Sequence, residues 1–96
     1  MKKDKVLLSG IVKKEMFFGN FKERNLILYS TPKLVYYDSE SGEKKGEIML
    51  EKDTPIGIDG RVFSVTNQKK TYLFKTKSTT QEWVEMIKSA IINAYY

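Results

Sequence analysis

The sequence predicts a mainly β fold: a seven-stranded, bent antiparallel sandwich or barrel capped by one C-terminal α-helix. Three observations carry this expectation. The first three quarters of the 96 residues break into short runs rich in branched and aromatic side chains, some alternating in polarity. Turn formers separate those runs at regular spacing. The last quarter changes to a helical period. A terminal helix with one apolar face can cover an edge and one mouth of such a barrel and leave the other mouth wet.

Each element has its own signal. Val6 to Lys14 is an extended run with Gly10 in its middle, read as a bulge or bend. In Phe21 to Tyr29, Lys22, Arg24, Leu26 and Leu28 share one side and Phe21, Glu23, Asn25, Ile27 and Tyr29 the other. Thr31-Pro32-Lys33 is a turn, Leu34 to Tyr37 a third strand, and Asp38 to Gly42 a loop by composition. Lys45 to Leu50 is the fourth strand. Pro55 to Ile58 reads as a short edge piece, because proline cannot donate to a ladder. Asp59-Gly60 is a hairpin turn, and Arg61 to Thr66 and Thr71 to Thr76 flank the polar turn Asn67 to Lys70. Thr79 with Glu82 three residues on makes a capping-box pattern. Trp83, Ile87, Ala90 and Ile91 then repeat at helical spacing, with Val84, Met86 and Ala94 widening the stripe. Core packing is the expected use of that stripe. The polar face has too few lysines for a helix lying on a membrane.

Composition bounds the function. A chain of 11.2 kDa is one domain. It has no cysteine and no histidine, which excludes disulfides, thiolate chemistry and the commonest general base and metal ligand. With no glycine-rich nucleotide loop either, no catalytic constellation, metal site or cofactor is expected. No apolar stretch approaches the ~20 residues that span a bilayer, and the lysine-rich start lacks a cleavage pattern, so a cytoplasmic setting is expected.

There are 17 Lys and Arg against 12 Asp and Glu, unevenly spread. Residues 1–24 carry seven bases and three acids, residues 61–77 five bases and no acid, and residues 38–53 six acids and three bases. If the two basic segments meet in space, the domain has a dipole that orients it towards a polyanion. The second strand sharpens this. Lys22 and Arg24 share a face with Leu26 and Leu28, so they point inward at the rim if the leucines fill the barrel. A hairpin brings Lys14 to them. Cations at an open mouth are costly unless an anion or water meets them, and they are expected to be left unneutralised by the protein itself. Met16, Phe17 and Phe18 fall in the intervening loop, where apolar residues beside bases suit a wedge that enters a lipid interface.

Strands followed by a capping helix with one central Trp resemble the pleckstrin homology domain along residues 1–96. Gly10 to Lys14, Phe21 to Arg24, Leu34 to Asp38, Lys45 to Ile48 and Trp83 agree with that family in order and spacing. The stretches LVYYDSESGEKKGEI and KKTYLF are most similar to the C-terminal pleckstrin homology domain of 3-phosphoinositide-dependent protein kinase. The resemblance implies a fragment of a larger signalling kinase. It also implies a module that binds 3-phosphorylated phosphoinositides or inositol phosphates and is recruited peripherally to anionic membranes. Lys14, then seven residues, then Lys22-Glu23-Arg24 matches the family's 3-phosphate signature. By that resemblance Lys14 and Arg24 hold the 3-phosphate and Lys22 a neighbouring one. Tyr36 donates to the 4-phosphate, Lys45 meets the 3- or 4-phosphate region, and Lys70 adds a cation. Phe17 and Phe18 are the membrane contacts. Glu15 and Glu23 depart from the strongest binders.

The alternative is a protein-interaction module with weak or non-specific lipid binding, using the acidic stretch Glu40 to Glu51. Nucleic acid is not an expected partner, because acids interrupt each basic patch and no exposed stacking stripe is present.

Overall fold

Alternating polarity becomes seven strands in the computed structural model, which describes residues 4–17 and 19–96. They are β1 (Val6–Phe17), β2 (Asn20–Tyr29), β3 (Lys33–Asp38), β4 (Lys44–Met49), β5 (Ile56–Asp59), β6 (Val62–Asn67) and β7 (Lys70–Lys75). One helix, α1 (Thr80–Tyr95), follows. All pairings are antiparallel, in the order β4-β3-β2-β1-β7-β6-β5. β1 joins the two halves: it pairs along its length with β2, and at Lys13↔Lys75 and Lys14↔Phe74 with β7. The sheet is therefore a bent sandwich with β4 and β5 as its edges, rather than a closed barrel. Across the open corner the Asn67 side-chain amide donates to the Met49 carbonyl.

The inner faces carry the core. Leu26, Leu28, Leu34, Ile48, Phe63, Val65 and Phe74 are buried with Trp83, Val84 and Ile87 of α1. Phe63 stacks between Phe74 (centroids 5.2 Å apart) and Trp83 (6.2 Å). The Trp stripe is core packing, as the helical spacing predicts, and it closes the end of the sandwich opposite the mouth described below.

Three local expectations are corrected. Gly10 is not a bulge. It pairs in register with Leu26, and a Cβ there would lie 3.7 Å from the Trp83 ring. The irregularities of β1 fall instead at Val6/Leu8 and Glu15/Phe17. Secondly, β1 runs on to Phe17, so Glu15, Met16 and Phe17 are strand residues and not a loop. Glu15 pairs with Phe21 and Phe17 with Asn20. Sequence reasoning ended the strand at the charged Lys14, but the ladder continues because β2 supplies a partner. Thirdly, Thr79 does not cap α1 through its side chain; its φ of −112° and ψ of 14° lie outside the extended region a capping residue uses. Thr76 does the work: its hydroxyl accepts the Thr79 N–H (3.0 Å) and bonds the Thr80 hydroxyl (2.7 Å). The Thr80 hydroxyl in turn donates to the Arg61 carbonyl (2.8 Å).

Candidate functional site

Register alone brings a set of side chains to one end of the sandwich. The β1–β2, β3–β4 and β6–β7 turns all lie there, because Lys14 faces Lys22, Arg24 faces Asp38, and β7 starts at Lys70, four residues before the Phe74–Lys14 pair. Following the buried Leu26 and Val12 outwards by twos places Arg24, Lys22, Lys14 and Met16 on the inner face of this mouth. Tyr36, Asp38, Tyr72 and Lys70 join them from β3 and β7. The two basic segments of the sequence thus meet across the β1–β7 pair.

Lys14 is 8% exposed. Its ammonium lies 5.0 Å from the centre of the Tyr36 ring and 5.7 Å from that of Tyr72, and donates to the Glu15 carbonyl at 3.2 Å. The Lys70 ammonium also lies over the Tyr72 ring, 4.8 Å from its centre. The aromatic faces partly offset the loss of water around these cations. Burial pushes the Lys14 pKa down, and the charges of Lys70 and Arg24 push it the same way, against Glu15. Burial holds the Tyr36 hydroxyl above its usual range, so Tyr36 is a donor at neutral pH. Tyr36 lies close over Gly46: a Cβ at Gly46 would fall 2.5 Å from its hydroxyl.

Arg24 is 3% exposed. Its Nη1 donates to Asp38 Oδ1 (3.2 Å) and to the Glu23 carbonyl (3.1 Å), while Nη2 lies 3.7 Å from the Met16 sulfur. Its Nε is buried with no acceptor. The expectation that the rim cations are unneutralised is therefore corrected for Arg24, which has a carboxylate on one edge. The other edge of the guanidinium keeps donors to spare. Lys14, Lys22 and Lys70 have no ion pair among the described residues.

The six binding residues named from sequence divide unevenly. Lys14, Arg24, Tyr36 and Lys70 converge at the mouth, and Lys22 stands directly across the ladder from Lys14, exposed. Lys45 is different. It sits at the register shift where Tyr36 and Tyr37 face Gly46 and Lys44, and its ammonium pairs with Glu43 at 3.1 Å. Of the membrane-contact pair, Phe17 is 63% exposed at the end of β1, and Phe18 lies outside the described residues. Met16, 42% exposed, stands beside Phe17. Two members were missed, Tyr72 and Asp38. The same alternation that places Tyr36 would have found both, since Tyr72 is two residues beyond Lys70 and Asp38 two beyond Tyr36.

A family model described as the PH domain matches residues 1–96. The chain is a pleckstrin homology (PH) domain. A probable serine/threonine-protein kinase, pdkA, of Dictyostelium discoideum is 34% identical over 93 residues. That alignment covers 95% of this chain and 13% of the kinase, so the chain spans about an eighth of that relative. Among solved structures, the C-terminal PH domain of pleckstrin in complex with D-myo-Ins(1,2,3,4,5)P5 superposes with a TM-score of 0.78. The match has 24% identity and covers 88% of this chain and 97% of that one. The DH/PH fragment of PDZRHOGEF in complex with human RhoA gives a TM-score of 0.79 at 17% identity over 95% of this chain and 30% of that one. These structural likenesses concern the fold. The PH domain is a non-catalytic module that often binds phosphoinositides, and its helix is not long and apolar enough to cross a membrane.

Proposed function

We propose that this PH domain binds the headgroup of 3-phosphorylated phosphoinositides at its open mouth and recruits a parent signalling kinase to anionic membranes. One observation carries the reading: Lys14, a buried lysine without a carboxylate partner among the described residues, stands beside a buried guanidinium whose Nε has no acceptor among them. Such groups are stable together only when water or an anion completes them. Phosphate oxygens meet that need with charge-assisted bonds worth about 1.5–3 kcal/mol each. Lys14 and the free edge of Arg24 take the 3-phosphate and Lys22 an adjacent one. Tyr36 donates its hydroxyl, and Lys70 closes the far side. Lys45 would have to leave Glu43 to take part. Met16 and Phe17 would touch the lipid interface while the headgroup is held.

The kinase relative supports a signalling parent, and the inositol phosphate in the pleckstrin complex supports the ligand class. The protein-interaction alternative through Glu40 to Glu51 is less favoured. Glu43 pairs with Lys45, and Glu47 with Lys44 and Lys33, so two of the four acids of that stretch are already held by the domain's own lysines.

The test is binding to vesicles carrying mono-, bis- or trisphosphorylated phosphoinositides at one salt concentration, with wild type, Lys14→Gln and Lys22→Glu. Selective binding to 3-phosphorylated species, lost in both variants with circular dichroism unchanged, is expected. Binding that tracks only total negative charge would reduce the mouth to a basic patch.

A further inference from the structure

A second basic feature lies on the opposite side of β1 and takes no part in the mouth. Residues alternate across a strand, so Lys13 points outward where Lys14 points in. Lys13 faces Lys75 across the β1–β7 pair and Glu23 across the β1–β2 pair. Around them opens a cleft of about 570 Å³, whose lining includes Ile11, Lys13, Glu23, Arg61, Lys75 and Lys77. Four bases against one acid leave a surplus of three positive charges. None of the four bases has an ion pair among the described residues, and Lys75 lies instead over the Phe21 ring at 5.8 Å. Like charges directly opposite on a sheet repel, and the one carboxylate beside this pair, Glu23, closes no ion pair with either lysine among the described residues. The start of α1 borders the same cleft at Ser78 and Thr79 and adds its positive end. At the cleft's side Ile11 is 64% exposed, an apolar contact among cations.

We propose that this cleft docks an acidic polypeptide segment bearing apolar side chains. Charge complementarity sets the sign, and Ile11 sets the need for an apolar neighbour. Position decides for a polypeptide over a lipid. Lys13 lies four residues back from Phe17, roughly 13 Å along the strand. Arg61 and Thr79 lie farther back still, at the end away from the mouth. A domain resting on a membrane through its mouth would hold this cleft on its flank, open to a protein bound at the same time. The inference uses other residues than the headgroup reading and stands or falls separately.

The probe is a fluorescein-labelled decapeptide of glutamates with two leucines, followed by anisotropy and by backbone amide shifts. Binding is expected to shift Lys13, Lys75 and Thr79 to Gln81, and to weaken about tenfold or more in Lys13→Glu with Lys75→Glu, the scale of two lost charge-assisted contacts. Arg61→Ala with Lys77→Ala, both exposed, should weaken it without touching the β1–β7 ladder. Lys22→Glu should leave it intact, and saturating soluble inositol polyphosphate should not displace it. Absence of binding, shifts at Lys14 and Lys70 instead, or displacement by inositol polyphosphate would overturn the proposal. So would displacement by phosphatidylserine vesicles free of phosphoinositide, which would give the cleft to lipid.

Discussion

Arg24 Nη1 sits 3.2 Å from Asp38 Oδ1, while the Nε of the same guanidinium is buried without an acceptor. Asp38 is thus an internal anion at the edge of the mouth proposed above to receive an external one. Its carboxylate also accepts the Ser41 N–H (2.9 Å), which folds the β3–β4 turn. Hydrogen bonds from Ser41 chiefly hold its pKa below the ordinary aspartate range. Asp38→Asn keeps the size and the acceptor for Ser41 but removes the negative charge. Affinity for a soluble inositol polyphosphate should rise severalfold by calorimetry. Unchanged or weaker binding would mean that this carboxylate does not oppose the ligand. The same variant should lose part of its acid sensitivity. A depressed aspartate contributes stability above its unfolded pKa that is lost as pH falls through its folded one.

Lys14 predicts an alkaline limit on binding. Its pKa lies below the ordinary lysine value because of burial, then Lys70 and Arg24. An arriving phosphate favours the ammonium and would push the pKa back up. Binding should therefore take up protons at alkaline pH, and affinity should fall as pH rises through the folded Lys14 pKa. For the free domain the sign is opposite. The unfolded chain holds the Lys14 proton to higher pH than the folded one. Stability from this group therefore rises with pH between the folded and unfolded values. Calorimetry in buffers of different ionisation enthalpy would show the proton uptake, and Lys14→Arg should abolish it. Uptake that persists in Lys14→Arg would assign it elsewhere.

Gly46 controls where Tyr36 can lie. An added methyl would meet the Tyr36 hydroxyl at 2.5 Å and its ring carbon at 2.7 Å, so the ring must move. Gly46→Ala should weaken inositol polyphosphate binding to about the extent that Tyr36→Phe does, while thermal unfolding shifts little, because the ring end is only half-buried. If Tyr36→Phe binds normally, the hydroxyl is not a ligand donor.

The β6–β7 turn is conformationally expensive. Gln68 and Lys69 have φ of 51° and 65°, the left-handed region, in a two-residue turn closed by the Asn67–Lys70 pair. Neither residue type favours that region, whereas Asn-Gly does. Replacing Gln68-Lys69 by Asn-Gly should stabilise the domain by about 1–2 kcal/mol, read from urea unfolding. An unchanged midpoint would show that the native turn is not strained. Because Lys70 begins β7 immediately after this turn, the same variant reports whether Lys69 itself contributes to anion binding.

Much of this molecule was legible before its coordinates. Alternation marked β2, Asp59-Gly60 marked a hairpin, and the period change after Thr79 marked α1 with Trp83 inward. These signals are local: they depend on the spacing of side chains along one element. The same parity placed Lys22 and Arg24 on the face of Leu26. Where local signals misled, a partner outside the element had intervened. β2 extended β1 through Met16 and Phe17, the Trp83 ring explained Gly10, and Thr76 replaced Thr79 at the helix start. The ion pair of Lys45 with its neighbour Glu43 is not legible from strand alternation, because it arises at the register shift between β3 and β4.

By itself the sequence determined the order and type of the elements, the absence of thiol and imidazole chemistry, and the two basic segments, since these follow from residue type and period. Only the tertiary structure decided that the segments meet across β1 and β7, that Lys14 rather than Lys13 faces the mouth, and that Asp38 occupies one edge of Arg24. Those depend on strand register, which is set by contacts between residues far apart in the chain.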